Sequence, residues 1–340
     1  MILIISQPME YTTSEVCRWL RHWKVPHVRL HPEDLQEGGM HYELGAGSRT
    51  EEPEKNRTVQ VDPVGAERWQ SDEVNTVWYR RWSQPRQLMQ LWKNAGEPEL
   101  DKVRRHLGGE FATLTQTLIR HLGDVKWLNH PSDNHLNKID VLEKALEAGF
   151  DVPETLITGK KAALSRFIDQ HGAVISKPVK EVDFFPYHGD EFSLYTVRFT
   201  ADELEDLPDT FFPTLFQRQI PKQYEIRTFY LGGECYSMAI FSQADKMTEL
   251  DFRRYNHGNM NQMVPFNLPA EQEAAADRLM KALNMDSGSL DIIRDTEGRY
   301  VFLEVNPVGQ FGMVSRPCHY QLEEKVARFL RERTAKTETT

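Results

Sequence analysis

The segment GSLDIIRDTEGRYVFLEVNPVGQ (288–310) places two carboxylates inside runs of apolar, strand-forming residues. The runs LDII and RYVFLEV flank DTEG, which has the composition of a hairpin turn. A two-residue turn at Glu297-Gly298 pairs Asp291 directly with Glu304. Opposed carboxylates within apolar strands repel each other and are costly to remove from water, so this pair requires a cation or a shared proton.

Asn306 supplies a third oxygen on the same face as Glu304, because side chains alternate along a strand. Carboxylate and amide oxygens are ligands that Mg²⁺ accepts, usually together with phosphate oxygens and water. Neutralisation of Asp291 and Glu304 by Arg or Lys is the alternative. A carboxylate pair acting as general acid and base is less favoured, because Asn306 adds a metal-type ligand and no proton donor.

A helix predicted after WLNHPSDNHLN carries the first candidate cation, Lys138, near its first turn. Asp133 or Asn134 can cap this helix, and Gly149 can end it. Lys138 lies off the apolar stripe and is either a solvated lysine or a ligand-binding one. The stripe consists of Leu136, Ile139, Leu142 and Leu146.

Two more cations lie in predicted strands. Lys177 in AVISKPVK shares a strand face with Ile175, so its ammonium must reach solvent along the strand or meet an anion. Arg227 lies in the strand before the Gly232-Gly233 turn of a predicted hairpin, with Glu225 on the same face. A structural ion pair between Glu225 and Arg227 is the simpler interpretation.

The overall charge excludes one class of function. The 340 residues contain 41 Lys and Arg against 51 Asp and Glu, a formal net charge of −10, which argues against binding through a nucleic-acid backbone. The three cysteines show no paired spacing, and no apolar run approaches the length of a membrane span. We therefore expect a cytoplasmic protein without a disulfide framework, a membrane segment or a nucleic-acid partner.

The first third of the chain has the pattern of a parallel α/β domain. A buried strand in MILIIS is followed by a predicted helix over Glu15–Trp23, for which Thr12, Thr13 and Ser14 offer N-caps. The strand PHVRL completes a strand–helix–strand unit, although no phosphate-binding glycine motif accompanies it. The strand VNTVWYRRW follows, and its two arginines either face a substrate or are solvated.

Taken in order, these features resemble the ATP-grasp ligases over about residues 126–330. The resemblance is carried by TVWYRRW, WLNHPSDNHLNKIDVLEKA, VISKPV, LFQRQIPKQYEIRTFYLGGECYSMAI, DFRRYN and FLEVNPVGQF. Within that superfamily the chain is most similar to the peptide maturases of graspetide (microviridin-type, grasp-with-spasm) pathways. One departure is that the stretch after Lys177, KEVDFFPYHGDEF, has a single glycine where many members have a glycine-rich phosphate loop.

The resemblance implies an α/β (α+β) chain with the ATP-grasp fold. It implies a Rossmann-like N-terminal domain over residues 1–125, a central lobe over 126–213, a C-terminal lobe over 214–330 and a flexible tail over 331–340. It also assigns roles. Lys138 and Lys177 would contact ATP phosphates, and Arg227 would stabilise the transferred phosphoryl group together with Lys177. The other nucleotide-binding candidates are Gln217, Arg218, Gln219, Ile220 and Glu225, and the Mg²⁺ ligands are Asp291, Glu304 and Asn306.

The activity implied is ADP-forming ligation of carboxylates. Side-chain carboxylates of a ribosomal precursor peptide, with its leader and core, would be activated as acylphosphates and closed onto Ser, Thr or Lys as macrocyclic ω-esters or ω-amides. Arg253 and Arg254 are candidates for binding the substrate carboxylate, or are solvated loop residues. The resemblance also suggests a homodimer. The alternatives are a RimK- or glutathione-synthetase-like ligase that adds amino acids, and a catalytically silent binding module.

Overall fold

The computed structural model describes residues 1–43, 58–63, 66–83, 98–134, 136–179, 184–187, 190–193, 196–244 and 261–335. They form two compact units, Met1–Pro131 with Gln321–Thr340, and Ser132–Tyr320. The domain boundaries expected from the sequence stay a prediction. Among the described helices, none combines the length and the apolar character needed to cross a membrane.

The first unit is built on a parallel sheet of four strands in the order β2-β1-β6-β7. All residues of β1 are buried, which explains why its sequence is continuously apolar. A second, antiparallel sheet consists of β3, β4 and β5. The elements are β1 (Ile2–Ile5), α1 (Tyr11–His22), β2 (His27–Leu30), α2 (Pro32–Asp34), β3 (Met40–His41), β4 (Gln60–Val61), β5 (Trp69–Gln70), β6 (Thr76–Tyr79), α3 (Pro98–His121), β7 (Lys126–Leu128) and, from the C-terminal segment, Leu322–Ala335.

The start of α1 differs from the prediction. Glu10 is the N-cap, and its carboxylate accepts a hydrogen bond from the Thr13 N–H group at 2.7 Å. The helix therefore begins at Tyr11, and the three hydroxyl residues offered as caps lie inside its first turn. Glu10 also pairs with Arg80 at 3.2 Å. Arg80 is thus buried and ion-paired and is not a solvated arginine.

The second unit contains a four-stranded sheet in the order β12-β9-β13-β8, a five-stranded sheet in the order β16-β15-β14-β17-β18, and the hairpin β10-β11. Every strand pair in these sheets is antiparallel. The elements are α4 (Lys138–Ala148), β8 (Thr155–Lys160), α5 (Lys161–His171), β9 (Val174–Lys177), β10 (Phe184–Tyr187), β11 (Asp190–Ser193), β12 (Val197–Phe199), α6 (Ala201–Glu205), β13 (Thr210–Arg218), β14 (Lys222–Leu231), β15 (Glu234–Phe241), β16 (Gln262–Phe266), α7 (Ala270–Ala282), β17 (Ser287–Asp295), β18 (Tyr300–Asn306) and α8 (Gly312–Ser315). The segment Leu322–Ala335 of the first unit is α9, which extends past the expected start of the tail at residue 331.

Helices α4 and α7 cover one face of the five-stranded sheet. Their apolar side chains form one core with Ile226, Leu290, Ile292 and Phe302. Because side chains alternate along β14 and β17, residues one position away project from the opposite face. That second face carries the polar residues of the candidate site.

The local prediction for α4 was right at its end and wrong at its start. Gly149 ends the helix with a φ of 96°, a conformation that glycine adopts without steric cost. The N-cap is Asn137, whose side chain accepts from the Ile139 N–H group at 2.9 Å, so neither predicted cap is used. In the helix that follows this cap, Val141 and Ala145 are buried. Leu146, which was assigned to the apolar stripe, is 55% exposed.

Candidate functional site

The acidic hairpin β17-β18 brings Asp291 and Glu304 together as predicted, through a different turn. Asp295 pairs with Arg299, so the loop contains three residues and ends at Gly298, with a φ of 90°. In this register a regular ladder would place Leu303 opposite Asp291, because Ile292 faces Phe302. A β-bulge at Leu303 restores the pairing of Asp291 with Glu304.

Arg227 neutralises Asp291. The two residues face each other in the ladder between β14 and β17, and Arg227 Nη1 lies 2.6 Å from both carboxylate oxygens. Both side chains are nearly inaccessible to water, at 6% and 11% exposure. The expected ion pair of Arg227 with its same-face neighbour Glu225 is therefore not formed, since the residue across the ladder lies in direct reach.

Lys138 reaches the same pair of strands from the first turn of α4. Its Nζ atom lies 3.8 Å from Glu304 Oε2 and donates to the Pro178 carbonyl at 3.4 Å. The side chain is 20% exposed, so Lys138 is not the freely solvated lysine of the simpler interpretation. Each carboxylate of the pair thus has a cation beside it.

Asn306 lies on the Glu304 strand and pairs in register with Ser289. Its Oδ1 atom accepts a hydrogen bond from the Val308 N–H group at 3.1 Å, which fixes the amide and leaves a second lone pair. Among the described residues, no cluster of three or more His, Cys, Asp and Glu side chains is arranged as a metal site. The candidate metal ligands are therefore two carboxylates and an amide, a set suited to an ion that is also held by phosphate oxygens.

A cleft of about 570 Å³ lies in front of these strands and contains most of the predicted nucleotide-binding residues. Lys177 and Ile175 line it from β9, as their shared strand face predicted. Asp291 and Glu304 line it from the hairpin. The remaining predicted residues that line the cleft are Gln217, Arg218, Gln219, Ile220 and Glu225.

The segment Gln217–Ile220 contains one buried polar atom that is unsatisfied among the described residues. Gln217 is fully buried, and its Nε2 group donates to Thr155 Oγ1 at 2.9 Å. Its Oε1 atom has no hydrogen-bond partner among the described residues. A buried amide oxygen without a donor costs free energy, so Gln217 carries a local cost at the wall of the cleft.

Glu225 is held by two groups that the sequence did not single out. Lys222 Nζ donates to Glu225 Oε1 at 2.6 Å, and Ser242 Oγ donates to the same oxygen at 2.7 Å. Burial raises the pKa of Glu225 above its ordinary value, and the Lys222 ammonium and the Ser242 hydroxyl act in the opposite direction. No periodicity marks these contacts. Ser242 meets Glu225 through the pairing of β14 with β15. Lys222 lies three residues before Glu225, a spacing that places side chains on opposite faces of a regular strand, and the strand is irregular between Lys222 and Tyr224.

Replacing Lys222 by methionine should lower the free energy of unfolding by about 1.5–3 kcal/mol at neutral pH, since a buried carboxylate loses a charged donor. Burial raises the pKa of Glu225 in the folded state, so its ionised form costs stability above the unfolded-state pKa. The destabilisation should therefore shrink as the pH falls and Glu225 takes up a proton. Urea unfolding at several pH values measures both effects.

Lys281→Met is the matched control. Lys281 pairs with Asp277 at 2.7 Å, nearly the same distance, but its side chain is 72% exposed. Exposed helical pairs of this kind contribute about 0.3–0.5 kcal/mol. The assigned role of the buried pair would be contradicted if the two variants lost the same free energy of unfolding. It would also be contradicted if the loss in the Lys222 variant did not change with pH.

Arg253 and Arg254, the predicted substrate-binding arginines, lie outside the described residues. The stretch after Lys177, where the sequence has no glycine-rich loop, contains the hairpin β10-β11. Of the predicted site residues that the structure describes, Lys138 and Arg227 contact the acidic pair, Asn306 lies on the same hairpin, and the others line the cleft.

Solved structures resemble the chain over nearly its whole length. A RiPP-associated ATP-grasp ligase from Chryseobacterium gregarium, solved in complex with ADP and with a leader and core peptide, has a TM-score of 0.81 at 21% identity, covering 99% of this chain and 96% of that chain. The chain has the ATP-grasp fold. The α/β fold class predicted from the sequence is therefore confirmed, and the cleft and acidic hairpin described above belong to an ATP-grasp scaffold.

Two further solved structures have a similar fold. The macrocyclase MdnC of Microcystis aeruginosa MRC, bound with the precursor peptide MdnA, has a TM-score of 0.79 at 22% identity, covering 97% of this chain and 98% of that chain. The ATP-grasp ligase PsnB, complexed with a minimal precursor, Mg and ADP, has a TM-score of 0.71 at 17% identity, covering 98% and 97%. No protein-family model and no curated protein matches the chain.

Proposed function

We propose that this protein is an ATP- and Mg²⁺-dependent peptide ligase that activates Asp or Glu side-chain carboxylates and joins them to Ser, Thr or Lys side chains of the same precursor peptide. The observation that carries the proposal is the opposed pair Asp291 and Glu304, flanked by Arg227 and Lys138 at the cleft that Gln217–Ile220 line. The neighbours solved with precursor peptides support peptide as the substrate class. A RimK-like ligase with the same site is the rival.

The donor set fits the two small ligands that this reaction needs. Asp291, Glu304 and Asn306 would hold Mg²⁺, which when bound neutralises phosphate charge during transfer. The segment Gln217–Ile220, which lines the cleft, would contact the adenine ring through its backbone groups. Glu225 would accept from ribose hydroxyls, because Lys222 and Ser242 hold its carboxylate at the cleft.

The protein's own cations would organise the reacting phosphate. A carboxylate is a poor acylating group until its oxygen is converted into a better leaving group. Transfer of the terminal phosphoryl group to the peptide carboxylate gives an acylphosphate and ADP, and attack by a hydroxyl or amine then releases phosphate. Lys177, Lys138 and Arg227 would stabilise the negative charge of the transferred group, and Arg254 would bind the peptide carboxylate.

Mass spectrometry of a peptide incubated with ATP and Mg²⁺ tests this function. The peptide to use is the product of a short reading frame beside this chain's gene, rich in Thr, Ser, Lys, Asp and Glu. We expect one ADP for each water lost from the peptide. A gain in mass by added amino acids would instead identify a RimK- or glutathione-synthetase-like ligase. Release of AMP, or turnover without a change in peptide mass, would refute the proposal.

Two further expectations accompany the proposed function. The homodimer implied by the resemblance can be tested by light scattering during gel filtration. A cytoplasmic location is consistent with the three cysteines, which are free in the structure.

A further inference from the structure

The outer edge of strand β2 lacks a partner among the described residues. β2 is the terminal strand of its sheet and pairs only with β1. The Pro26 carbonyl accepts a hydrogen bond from the Ile2 N–H group at 3.0 Å, and the Leu30 carbonyl accepts one from the Ser6 N–H group at 3.1 Å. Because the backbone groups of a strand point alternately to its two sides, the N–H and C=O groups of His27 and Arg29 point away from β1. They are available to a further strand.

A groove of about 800 Å³ runs along this edge, entirely within the first unit. Side chains of α1 border it on one side, and residues 66–69 border it on the other. Four arginines, Arg18, Arg21, Arg29 and Arg68, line the groove against two carboxylates, so its formal lining charge is positive. The carboxylates that line it are Glu67 and Glu73.

Two of these arginines have charge partners outside the groove lining, and two do not. Arg18 pairs with Glu15 at 2.8 Å, and Arg68 pairs with Asp62. Arg21 is exposed and has no carboxylate partner among the described residues. It follows Arg18 by three positions on α1, so the two side chains lie on one helix face.

Arg29 is fixed in place without a bonded carboxylate. Its guanidinium donates to Ser6 Oγ at 2.6 Å, to Ser14 Oγ at 2.9 Å and to the Gln7 carbonyl at 2.7 Å. The nearest carboxylate, Glu10, is engaged by Arg80 and by the first turn of α1. The fixed positive charge beside an open strand edge is therefore only partly compensated.

We propose that this groove binds an extended acidic peptide segment, which pairs with the backbone of β2 while its carboxylates contact Arg18, Arg21 and Arg29. Strand addition supplies main-chain hydrogen bonds, and the arginines select the charge of the side chains. A second copy of this chain is a poor occupant, because pairing β2 with itself would bring two cationic edges together. The proposal does not depend on the ligase chemistry, because the groove lies in the first unit and the proposed ligase site lies in the second.

Fluorescence anisotropy with the full chain and a fluorescein-labelled peptide of alternating Glu and Thr tests the proposal at low salt. We expect saturable binding, and about 10-fold weaker binding by the Arg18→Glu/Arg21→Glu variant. Both residues are on the surface, so the variant should keep its fold, which circular dichroism checks. A control with exposed Arg120→Glu, on α3 and away from the groove, should bind like the wild type.

A second peptide distinguishes strand addition from simple charge attraction. N-methylation of every backbone amide removes the donors from both edges of the peptide, so none remains to pair with β2, and should weaken binding by about 10-fold or more. Equal binding of the methylated and unmethylated peptides would overturn the strand-addition proposal. So would equal loss of binding in the Arg120→Glu control, binding of a Lys/Thr peptide with similar affinity, or a dimer that the Arg18→Glu/Arg21→Glu variant disrupts.

Discussion

Replacing Asp291 by asparagine should lower the rate of peptide-dependent ADP formation by about 10²- to 10³-fold. The substitution keeps the shape of the side chain and removes the charge opposite Glu304 that the proposed Mg²⁺ site requires. Glu304→Gln should have an effect of the same order, because the two carboxylates form one site. Steady-state kinetics with varied Mg²⁺ measures the loss, and raising Mg²⁺ should restore part of the rate.

Glu297→Gln is the matched control for these two variants. It removes a carboxylate from the turn of the same hairpin, where the side chain is 68% exposed and pairs only with Arg299 in the described structure. This variant should retain the wild-type rate. If Asp291→Asn and Glu304→Gln remain folded and as active as Glu297→Gln, the metal assignment is wrong and the pair is a structural ion-pair cluster.

Replacing Arg227 by methionine should lower the free energy of unfolding by about 3–5 kcal/mol, because it leaves the Asp291 carboxylate buried without its cation. Chemical denaturation measures the change. The double variant Arg227→Met/Asp291→Leu should be more stable than the single Arg227 variant, since no buried charge remains. Mg²⁺ should stabilise the single variant if it binds beside Asp291, a readout that does not depend on activity.

Arg299→Met provides the comparison, because its partner Asp295 lies on β17, as Asp291 does. Arg299 pairs with Asp295 at 2.8 Å, but its own side chain is 46% exposed, and Asp295 also accepts from the N–H groups of Glu297 and Arg299. Loss of this pair should cost about 1 kcal/mol or less. If Arg227→Met is no more destabilised than Arg299→Met, Arg227 does not compensate the buried charge of Asp291.

The sequence located the acidic pair through an argument that was only partly correct. Alternation within two apolar strands is a strong local signal, and it placed Asp291 opposite Glu304. The turn was wrong by one residue, and the bulge at Leu303 compensated for the error. No residue in RYVFLEV indicates that bulge. A bulge changes how the strand pairs with its neighbour and does not require a particular side chain.

Interactions between distant segments were the least predictable part of the site. The sequence offered Glu225 as the partner of Arg227, because same-face neighbours along one strand can be read from spacing. The actual partner, Asp291, is a cross-strand neighbour that depends on β14 pairing with β17. Lys222 was missed for a local reason: it lies three residues before Glu225, and only the irregularity between Lys222 and Tyr224 brings their side chains together. The segment Gln217–Ile220 is contiguous in sequence and lines the cleft, and its nucleotide-binding role stays a prediction.

Transfer of oxygen from the peptide to phosphate tests the proposed activation of carboxylates most directly. A peptide substrate whose side-chain carboxylates carry oxygen-18 is incubated with the protein, ATP and Mg²⁺, and the released phosphate is analysed by mass spectrometry. The account predicts one labelled oxygen in phosphate for each bond formed, and the other labelled oxygen in the product carbonyl. Phosphate without label, while the peptide is still cross-linked, would contradict the acylphosphate route and with it the roles assigned to Lys177, Arg227 and Asp291.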